Sequence, residues 1–444
     1  MLHDAYGNEV DTDRPETIAA IDRFARSFIG YGKDFAVIFD AALEDPDCLT
    51  ARSQAGLLGL FMENRAGLAL AREHLDAGRD LVAKGKGTAR EHAYWRAVEA
   101  ASRHDSDAAI ALHEDIASRW PRDLFAAKLG QIHHFNVGDA AGMKRIAEKA
   151  FNAHPLTAYA WGLYAFGLEE NNELDEALNI GRKAAEMQEV EPWAHHAVAH
   201  VHETRGELDE GIDWMERHAH TWKDCNSFMF THNWWHLALF YLDRGDPDQA
   251  LRIFDTRLWG APQGDPSYSQ DQAGAVSMLI RLNLRGVFVD GRWSDVADEI
   301  LKREVMFDQP FLTAHYAYAL ARAERRTDYE RFLKDLQAHA GTAGAKQRYM
   351  WLRHALPLCR GMAAHADNDF ETAASLLAES RPHWRSMGGS HAQRDLFEQV
   401  YVDSLLRGGR TSDALPLLKA RADARPGVRI HREQLALAER QAKR

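Results

Sequence analysis

A repeat of 34 residues is the feature that most constrains how this chain can fold. The segment ELDEA at 173–177 returns as ELDEG at 207–211, which is 34 residues later. Each copy places an acidic turn ahead of a small residue that begins the second helix of a pair. A single helix hairpin cannot bury its apolar face, so repeats of this kind stack on their neighbours and share a continuous core.

The same pattern recurs along the chain. Trp120-Pro121 and His154-Pro155, which each end a helix, also lie 34 residues apart. Related turns ahead of a helix occur in RGDPDQA (244–250), DNDFETA (367–373) and GGRTSDA (408–414). Apolar residues recur at helical spacing, and strand signals are nearly absent. The sequence therefore predicts an all-α protein, a tetratricopeptide-like α-solenoid whose helix hairpins form a right-handed superhelix.

One continuous superhelix is expected to span residues 1–444. Within it, 193–243 form core repeats rich in His and Trp, and 426–444 form a C-terminal capping helix. The segment WGAPQGDPSYSQ (259–270) interrupts the repeat. Its Gly and Pro residues indicate either an insertion that acts as a lid or a connector between two halves of the array.

Charge and composition exclude several classes of partner. The formal net charge is −12 and the Lys and Arg residues are scattered, so neither nucleic acid nor a membrane surface is expected as a partner. The N-terminus does not resemble a signal peptide, and no apolar run is long enough to span a bilayer. Cys48, Cys225 and Cys359 lie far apart and form no CxxC pair, which favours a reducing compartment. A cytoplasmic location is the simplest prediction.

A stretch rich in histidine and tryptophan, 193–243, indicates a site. It contains eight of the 23 histidines and five of the 12 tryptophans of the chain. His196, His200 and Glu203 share one helical stripe, and His232 and His236 share another with Asp243. Two histidines at i and i+4 point the same way from successive turns, an arrangement that chelates metal ions. His196, His200, His232 and His236 are therefore candidate ligands for a divalent transition metal such as Zn, Fe, Ni or Cu.

The repeat register leaves alternatives to a metal site open. Aligning Arg205-Gly206 with Arg244-Gly245 places Trp235 opposite His196, so the two histidine stripes are offset by about 100° around their helices. The same side chains could instead form a metal-free polar or acid–base pocket. They could also be structural histidines that hydrogen bond to the backbone or to neighbouring Trp and Asp residues.

Further candidates lie on later helices. GGSHAQRD (388–395) places His391 and Asp395 one turn apart, so that the carboxylate could orient the imidazole as a general base. Ser390 is expected to cap the helix that follows. His315 lies in FLTAHYAYAL (311–320), which has the pattern of another first helix. Cys225 has histidines near it in sequence, but a buried, inert thiol is the simpler interpretation.

Several blocks resemble the tetratricopeptide repeat protein 38 family, and the resemblance runs along most of the chain. The blocks are HHAVAHVHETRGELDEGIDWM, WKDCN, HNWWHLALFYLDRGD and MGGSHAQRD. The resemblance implies a tetratricopeptide-like α-solenoid, with no settled activity. The positions that match the family pattern are His196, His200, Glu203, Asn226, His232, Asn233, Trp235, His236, His315, Ser390, His391, Gln393, Arg394 and Asp395.

These observations favour a pocket for a small molecule, and they suggest a role for each candidate side chain. We expect Arg394 and Asn233 to orient the ligand and Trp235 to wall the pocket. His391, polarised by Asp395, or Glu203 would act as acid or base. The remaining ligand-binding candidates are Asn226, His315, Ser390 and Gln393.

Two function classes stay open. The first is a small-molecule site, with a metal-dependent or metal-free hydrolase or lyase as its enzymatic form. The second is a non-catalytic scaffold for a peptide or protein partner, the usual role of tetratricopeptide arrays. A homodimer is compatible with either. No GxGxxG follows a strand and neither GxxxxGK[ST] nor GxSxG occurs, so nucleotide-binding and α/β-hydrolase folds are not indicated.

Overall fold

The fold is all-α, as the sequence predicts. The structure, a computed structural model, describes residues 1–304, 307 and 309–443. A short antiparallel ladder, β1 (Leu2–His3) with β2 (Glu9–Val10), begins the chain and pairs Leu2 with Val10. All other regular secondary structure in the described residues is helical.

The chain divides into two compact units. Unit 1 comprises Met1–Val198 and Thr221–Asn226, and unit 2 comprises Ala199–His220 and Ser227–Arg444. The stretch 193–243, which the sequence marks as a candidate site, therefore contributes residues to both units. Each unit is described separately below.

Helix hairpins build unit 1. Its helices are α1 (Pro15–Ile29), α2 (Val37–Glu44), α3 (Leu49–Phe61), α4 (Arg65–Ala83), α5 (Ala89–Ser102), α6 (Ser106–Arg119), α7 (Leu124–Asn136), α8 (Ala140–Ala153), α9 (Ala158–Glu170) and α10 (Leu174–Met187). The next helix, α11 (Pro192–Arg205), begins in unit 1 and ends in unit 2.

Unit 2 continues with the same type of hairpin. Its helices are α12 (Leu208–His218), α13 (Ser227–Arg244), α14 (Pro247–Ile253), α15 (Ser269–Leu284), α16 (Asp290–Lys302), α17 (Pro310–Arg322), α18 (Arg326–Thr342), α19 (Ala345–Met350), α20 (Leu356–Ala366), α21 (Phe370–Ser380), α22 (His391–Arg407), α23 (Thr411–Ala424) and α24 (Arg429–Ala442). Turns of 3-10 helix lie at Ala219–Asp224 and Arg381–Met387, and π-helical turns lie at Phe254–Leu258 and Trp351–Ala355.

The predicted repeat positions begin helices and hold small residues where helices cross. The two copies of the ELDE motif lead directly into α10 and α12. Ala177 on α10 is fully buried. On α12, a Cβ added at Gly211 would lie 2.3 Å from the ring of Phe240, so only glycine allows α13 to pack this closely. The small residue in the motif is thus a packing requirement of the hairpin.

Acidic side chains at the turns fix where several helices begin. Asp123 accepts a hydrogen bond from the N–H of Ala126 at 2.9 Å, and Asp139 accepts one from the N–H of Gly142 at 2.9 Å. These carboxylates accept hydrogen bonds from backbone N–H groups that have no partner within the helix. Their negative charge also interacts favourably with the positive end of the helix dipole. The turns between hairpins are therefore specified by local sequence.

A helix that crosses a membrane must be both long and apolar. Within the described part of the chain, no helix reaches the length and apolar character that a bilayer span requires.

Candidate functional site

Four histidines of unit 2 form a cluster of imidazole rings. His200 lies on α11, His232 and His236 lie on α13, and His391 begins α22. The ring centre of His236 is 4.6 Å from that of His200 and 4.8 Å from that of His232. His391 approaches His200 edge-on, with 5.4 Å between the ring centres. Nε2 of His391 also lies 2.8 Å from the hydroxyl of Thr204, although these residues are 187 positions apart in sequence.

A buried carboxyl group joins this cluster. Oε2 of Glu203 lies 3.2 Å from Nδ1 of His236. Such a contact places the ring proton on Nδ1 while the carboxylate is ionised, so that Nε2 becomes the acceptor nitrogen of the ring. Burial raises the pKa of Glu203, and Arg425 and His200 partly offset that rise. Glu203 can therefore exchange a proton with the imidazoles around it.

The environment of His232 favours its neutral form. Burial lowers the pKa of His232 well below its ordinary value, and the neighbouring rings of His236 and His200 lower it further. His200 and His236 have no solvent exposure. Neutral imidazole is the form that binds metal ions and the form that accepts protons, so the cluster is suited to either chemistry.

A recess opens beside the cluster, also in unit 2. Thr231, His232, Trp235 and Asp271 line part of it. The Asp271 carboxyl accepts hydrogen bonds from the Thr231 hydroxyl at 3.1 Å and from the N–H of Asp265 at 2.9 Å. Burial raises the pKa of Asp271 to about 7. The segment 259–270 is thereby tied to the wall of the recess, and its role as a lid stays a prediction.

Trp235 and His315 are buried around the same part of unit 2. The Trp235 ring stacks on His232 at 5.4 Å between centres. Nδ1 of His315 is 2.8 Å from the carbonyl oxygen of Phe311, to which it donates, and burial lowers the pKa of His315 to about 4. Asn233 has no solvent exposure. These positions agree with a pocket wall, but their roles as ligand-binding residues stay predictions.

The predicted block at 388–395 organises the start of α22. Ser390 caps the helix by accepting from the N–H of Gln393 at 3.2 Å, while the Gln393 side chain accepts from the N–H of Ser390 at 2.9 Å. Arg394 donates to the carbonyl of Gly389. The Asp395 carboxylate accepts hydrogen bonds from Arg421, at 3.1 Å for one nitrogen, and from Gln399 at 2.7 Å. The structure thus shows Asp395 paired with Arg421, whereas His391 contacts Thr204.

Two predicted site residues belong to unit 1. The ring of His196 stacks on Trp193 with 4.4 Å between centres and lies 5.2 Å from the ring of Phe166. The backbone N–H of Asn226 donates to the carbonyl of Tyr31 at 2.6 Å. The thiol of Cys225 is buried, and burial raises its pKa to about 12, so it is protonated at neutral pH.

Unit 1 also contains a buried lysine that the sequence does not single out. Nζ of Lys128 donates to the hydroxyl of Tyr31 at 2.7 Å and lies 3.8 Å from the ring centre of Trp193. Tyr159 supplies another ring at 5.7 Å. Burial lowers the pKa of Lys128 to about 7, and the buried Glu191 opposes that change. In the sequence, the signal for this buried lysine is a single Lys inside the apolar segment FAAKLG (125–130).

Lys128→Met is expected to lose stability relative to wild type as the pH rises. Because the folded-state pKa of Lys128 lies below 10.5, the unfolded chain binds more protons between about pH 7 and 10.5. The stability that Lys128 contributes therefore increases through that window, by up to about 1 kcal/mol per pH unit. Urea unfolding of wild type and variant at pH 7 and 9.5 measures the difference. An exposed control, Lys84→Met, should show no such trend, and a flat difference for Lys128→Met would contradict the lowered pKa.

No protein-family model matches this chain. Solved structures that resemble it include the human IFIT1 dimer with PPP-AAAA, at 13% identity and a TM-score of 0.43, covering 97% of this chain and 96% of that one. MamA is 17% identical with a TM-score of 0.29, over 36% of this chain and 90% of its own. Naa15/Naa10 bound to HypK is 11% identical with a TM-score of 0.26, and the match covers 95% of this chain and 66% of that one. The likeness concerns helical-repeat architecture and extends no further.

The chain is thus a tetratricopeptide-like helical-repeat protein. Folds of this class provide surfaces on which other molecules bind, and the fold supports a binding or scaffold role. A histidine cluster lies in unit 2.

Proposed function

We propose that unit 2 binds a divalent transition metal ion and a small molecule, that His232 and His236 supply two of the metal ligands, and that the neighbouring His200 is a third candidate. The observation that carries this proposal is the pairing of His232 with His236, whose ring centres lie 4.8 Å apart and whose ring nitrogens are close enough to share one ion. Two imidazoles bound to one metal ion at about 2.0–2.1 Å have ring centres roughly 5 Å apart. The cluster is close to that spacing, and Glu203 orients the central ring as carboxylates commonly orient metal-binding histidines.

Glu203 and His391 are the proton-transfer groups in this proposal. Glu203 contacts His236, and burial raises its pKa, which is the direction that a proton-transfer carboxyl group needs. His391 contacts His200 and the Thr204 hydroxyl. A bound metal ion would polarise a carbonyl or lower the pKa of a water molecule. A hydrolase or lyase is the enzymatic form of the proposal, and Asp395 then acts on Arg421 rather than on His391.

The remaining assignments extend the same proposal. Asn233, Trp235, His315, Ser390, Gln393 and Arg394 are the ligand-binding candidates in unit 2. His196 as a fourth metal ligand and Asn226 as a ligand-binding residue stay predictions, since both belong to unit 1. The motif resemblance supports membership of the tetratricopeptide repeat protein 38 family. The buried, free cysteines suit a reducing, cytoplasmic compartment.

Metal content measured by elemental analysis tests the proposal. Purified wild type is expected to carry about one equivalent of Zn, Fe, Ni or Cu, or to take it up when the ions are supplied. His236→Ala should lower metal affinity at least about tenfold, since loss even of an indirect partner costs 10- to 100-fold. His232→Ala is a second variant in case the first folds poorly. The exposed His220→Ala, from the same histidine-rich stretch, is the matched control and should keep its metal.

Wild type that binds none of the four ions would overturn the metal assignment. Equal metal content in wild type and in both cluster variants, with unchanged circular dichroism, would place the metal elsewhere.

A scaffold for a peptide or protein partner is the alternative, because the fold supports it. Thermal-shift screening of the protein, first with metabolites and then with peptides, separates the small-molecule site from the scaffold. A ligand that binds the folded state raises the melting temperature of the protein. Stabilisation by peptides that His236→Ala retains would favour the scaffold.

A further inference from the structure

Four arginines in the described part of unit 2 are largely withdrawn from solvent. Arg281 lies on α15 and Arg285 directly follows that helix, while Arg421 lies on α23 and Arg425 follows α23. Arg281 is 3% exposed, and the side chains of Arg285, Arg421 and Arg425 are 9%, 16% and 15% exposed. Burying a guanidinium group without a counter-charge is costly, so each of these groups requires a partner.

Two carboxylates pair with three of the four guanidinium groups. Asp243 lies 3.2 Å from Arg285 and 2.8 Å from Arg425, and Asp395 pairs with Arg421. Of these four positive charges, that of Arg281 has neither carboxylate as a partner. His431 adds none at neutral pH, because burial and the neighbouring Arg421 lower its pKa to about 4.

Arg281 is the guanidinium whose contacts are all with neutral groups. It donates to the carbonyl of Ala392 at 2.9 Å and to the hydroxyl of Ser277, and it lies 5.2 Å from the ring centre of Trp235. Burial lowers the pKa of Arg281 to about 10, while Asp395 and Glu203 act against that change. The group therefore stays charged at pH 7 without a carboxylate in contact.

Two further polar atoms near Arg281 point to a ligand. Within the described residues, the buried indole N–H of Trp235 has no acceptor, and Nε2 of the buried His315 has no hydrogen-bond partner. The charge of Arg281 contributes to the lowered pKa of His315, so the two groups lie near each other. Buried polar groups are almost always satisfied by protein, water or ligand. A cation, a donor and an acceptor around one tryptophan could bind an oxyanion that also carries a hydroxyl.

The recess lies against the first half of α15, the helix that carries Arg281. Gly274 lines the recess described above, and Arg281 lies seven residues further on, on the same face of the helix. A Cβ added at Gly274 would meet no atom within 4 Å, so the space beside it is open.

We propose that Arg281 receives the oxyanion, a carboxylate or a phosphate, of the small molecule that unit 2 binds. This inference rests on the proposed function and specifies the chemical class of the ligand. It adds Arg281 to the sequence-predicted residues Arg394 and Asn233. Trp235 would supply a hydrogen-bond donor and His315 an acceptor to the same molecule.

Binding of inorganic phosphate and of succinate, measured calorimetrically and by melting temperature at constant ionic strength, tests this inference. Wild type should bind at least one of the two, and the preferred one distinguishes phosphate from carboxylate. Arg281→Met should weaken that binding at least tenfold, and Arg281→Lys less. Arg257→Met is the matched control, because Arg257 also lies over a tryptophan, Trp234 at 5.0 Å, but is exposed. It should bind as wild type does.

The melting temperature without ligand separates a binding role from a structural one. If Arg281 awaits an anion, Arg281→Met removes an uncompensated charge and should melt at or above the wild-type temperature. A lower melting temperature together with unchanged anion binding would show a structural role and overturn the inference. Absence of binding of either anion to wild type at 10 mM, about the weakest affinity of interest, would also overturn it.

Metal content of the same samples keeps this inference distinct from the proposed function. Metal retained in Arg281→Met with anion binding lost supports both. Anion binding in a wild type that holds no metal supports Arg281 and contradicts the metal site.

Discussion

Asp243→Ala is expected to lower the free energy of unfolding by about 3–5 kcal/mol, the usual cost of removing one partner from a buried ion pair. The Asp243 carboxylate pairs with both Arg285 and Arg425, at 3.2 and 2.8 Å. Burial raises the pKa of the Asp243 carboxyl, but the two arginines outweigh this effect and hold the pKa below its usual value. The substitution therefore leaves two buried guanidinium groups facing no carboxylate.

Urea unfolding at pH 7, followed by circular dichroism, measures this effect. Asp209→Ala is the matched control, because Asp209 pairs with Arg244 at 3.4 Å but its side chain is 81% exposed. It should change stability by less than about 0.5 kcal/mol. Adding Arg285→Met to Asp243→Ala should recover part of the loss, since it removes one uncompensated charge. A loss below about 1 kcal/mol for Asp243→Ala would mean that water reaches this network.

Trp222→Ala is expected to destabilise unit 1 by about 3–5 kcal/mol, as large-to-small changes at buried tryptophans do. Trp222 has no solvent exposure, and its indole N–H donates to Nδ1 of His195 at 3.2 Å. Truncation would leave a cavity and remove the partner of a buried imidazole. This effect would identify Trp222 and His195 as structural members of the histidine- and tryptophan-rich stretch.

Trp222→Phe is the matched variant for this prediction. It keeps most of the ring volume and loses the hydrogen bond, so a loss of about 1–2 kcal/mol is expected. Urea unfolding of the three proteins under the same conditions provides the comparison. Equal losses for Ala and Phe would assign the effect to the hydrogen bond rather than to packing.

The helical-repeat fold was predictable from the sequence because its determinants are local. The ELDE motif, the small residues Ala177 and Gly211, and the acidic turns act within one hairpin or between adjacent hairpins. The cap at Ser390 is equally local, and the structure confirms it. Stacking then follows because every hairpin has the same apolar face to bury.

The candidate site was predictable only in part, because its partners are distant in sequence. The helical spacing of His232 and His236 indicated a shared face, and the spacing of His391 and Asp395 in GGSHAQRD marked His391. Nothing in the sequence indicated that His391 would meet Thr204 or that Asp395 would pair with Arg421. Arg281 and Arg285, four residues apart around the apolar run at the end of α15, were the sequence signal for the buried charges.

The sequence by itself determined that this chain forms helix hairpins, where those helices begin, and which stretch concentrates imidazole and indole rings. Those properties depend on backbone propensity, capping and side-chain periodicity, which act over a few residues. Only the tertiary structure decided which ring faces which carboxylate and which guanidinium remains without one. Those pairings depend on how separate helices cross in three dimensions, and neither periodicity nor composition encodes that arrangement.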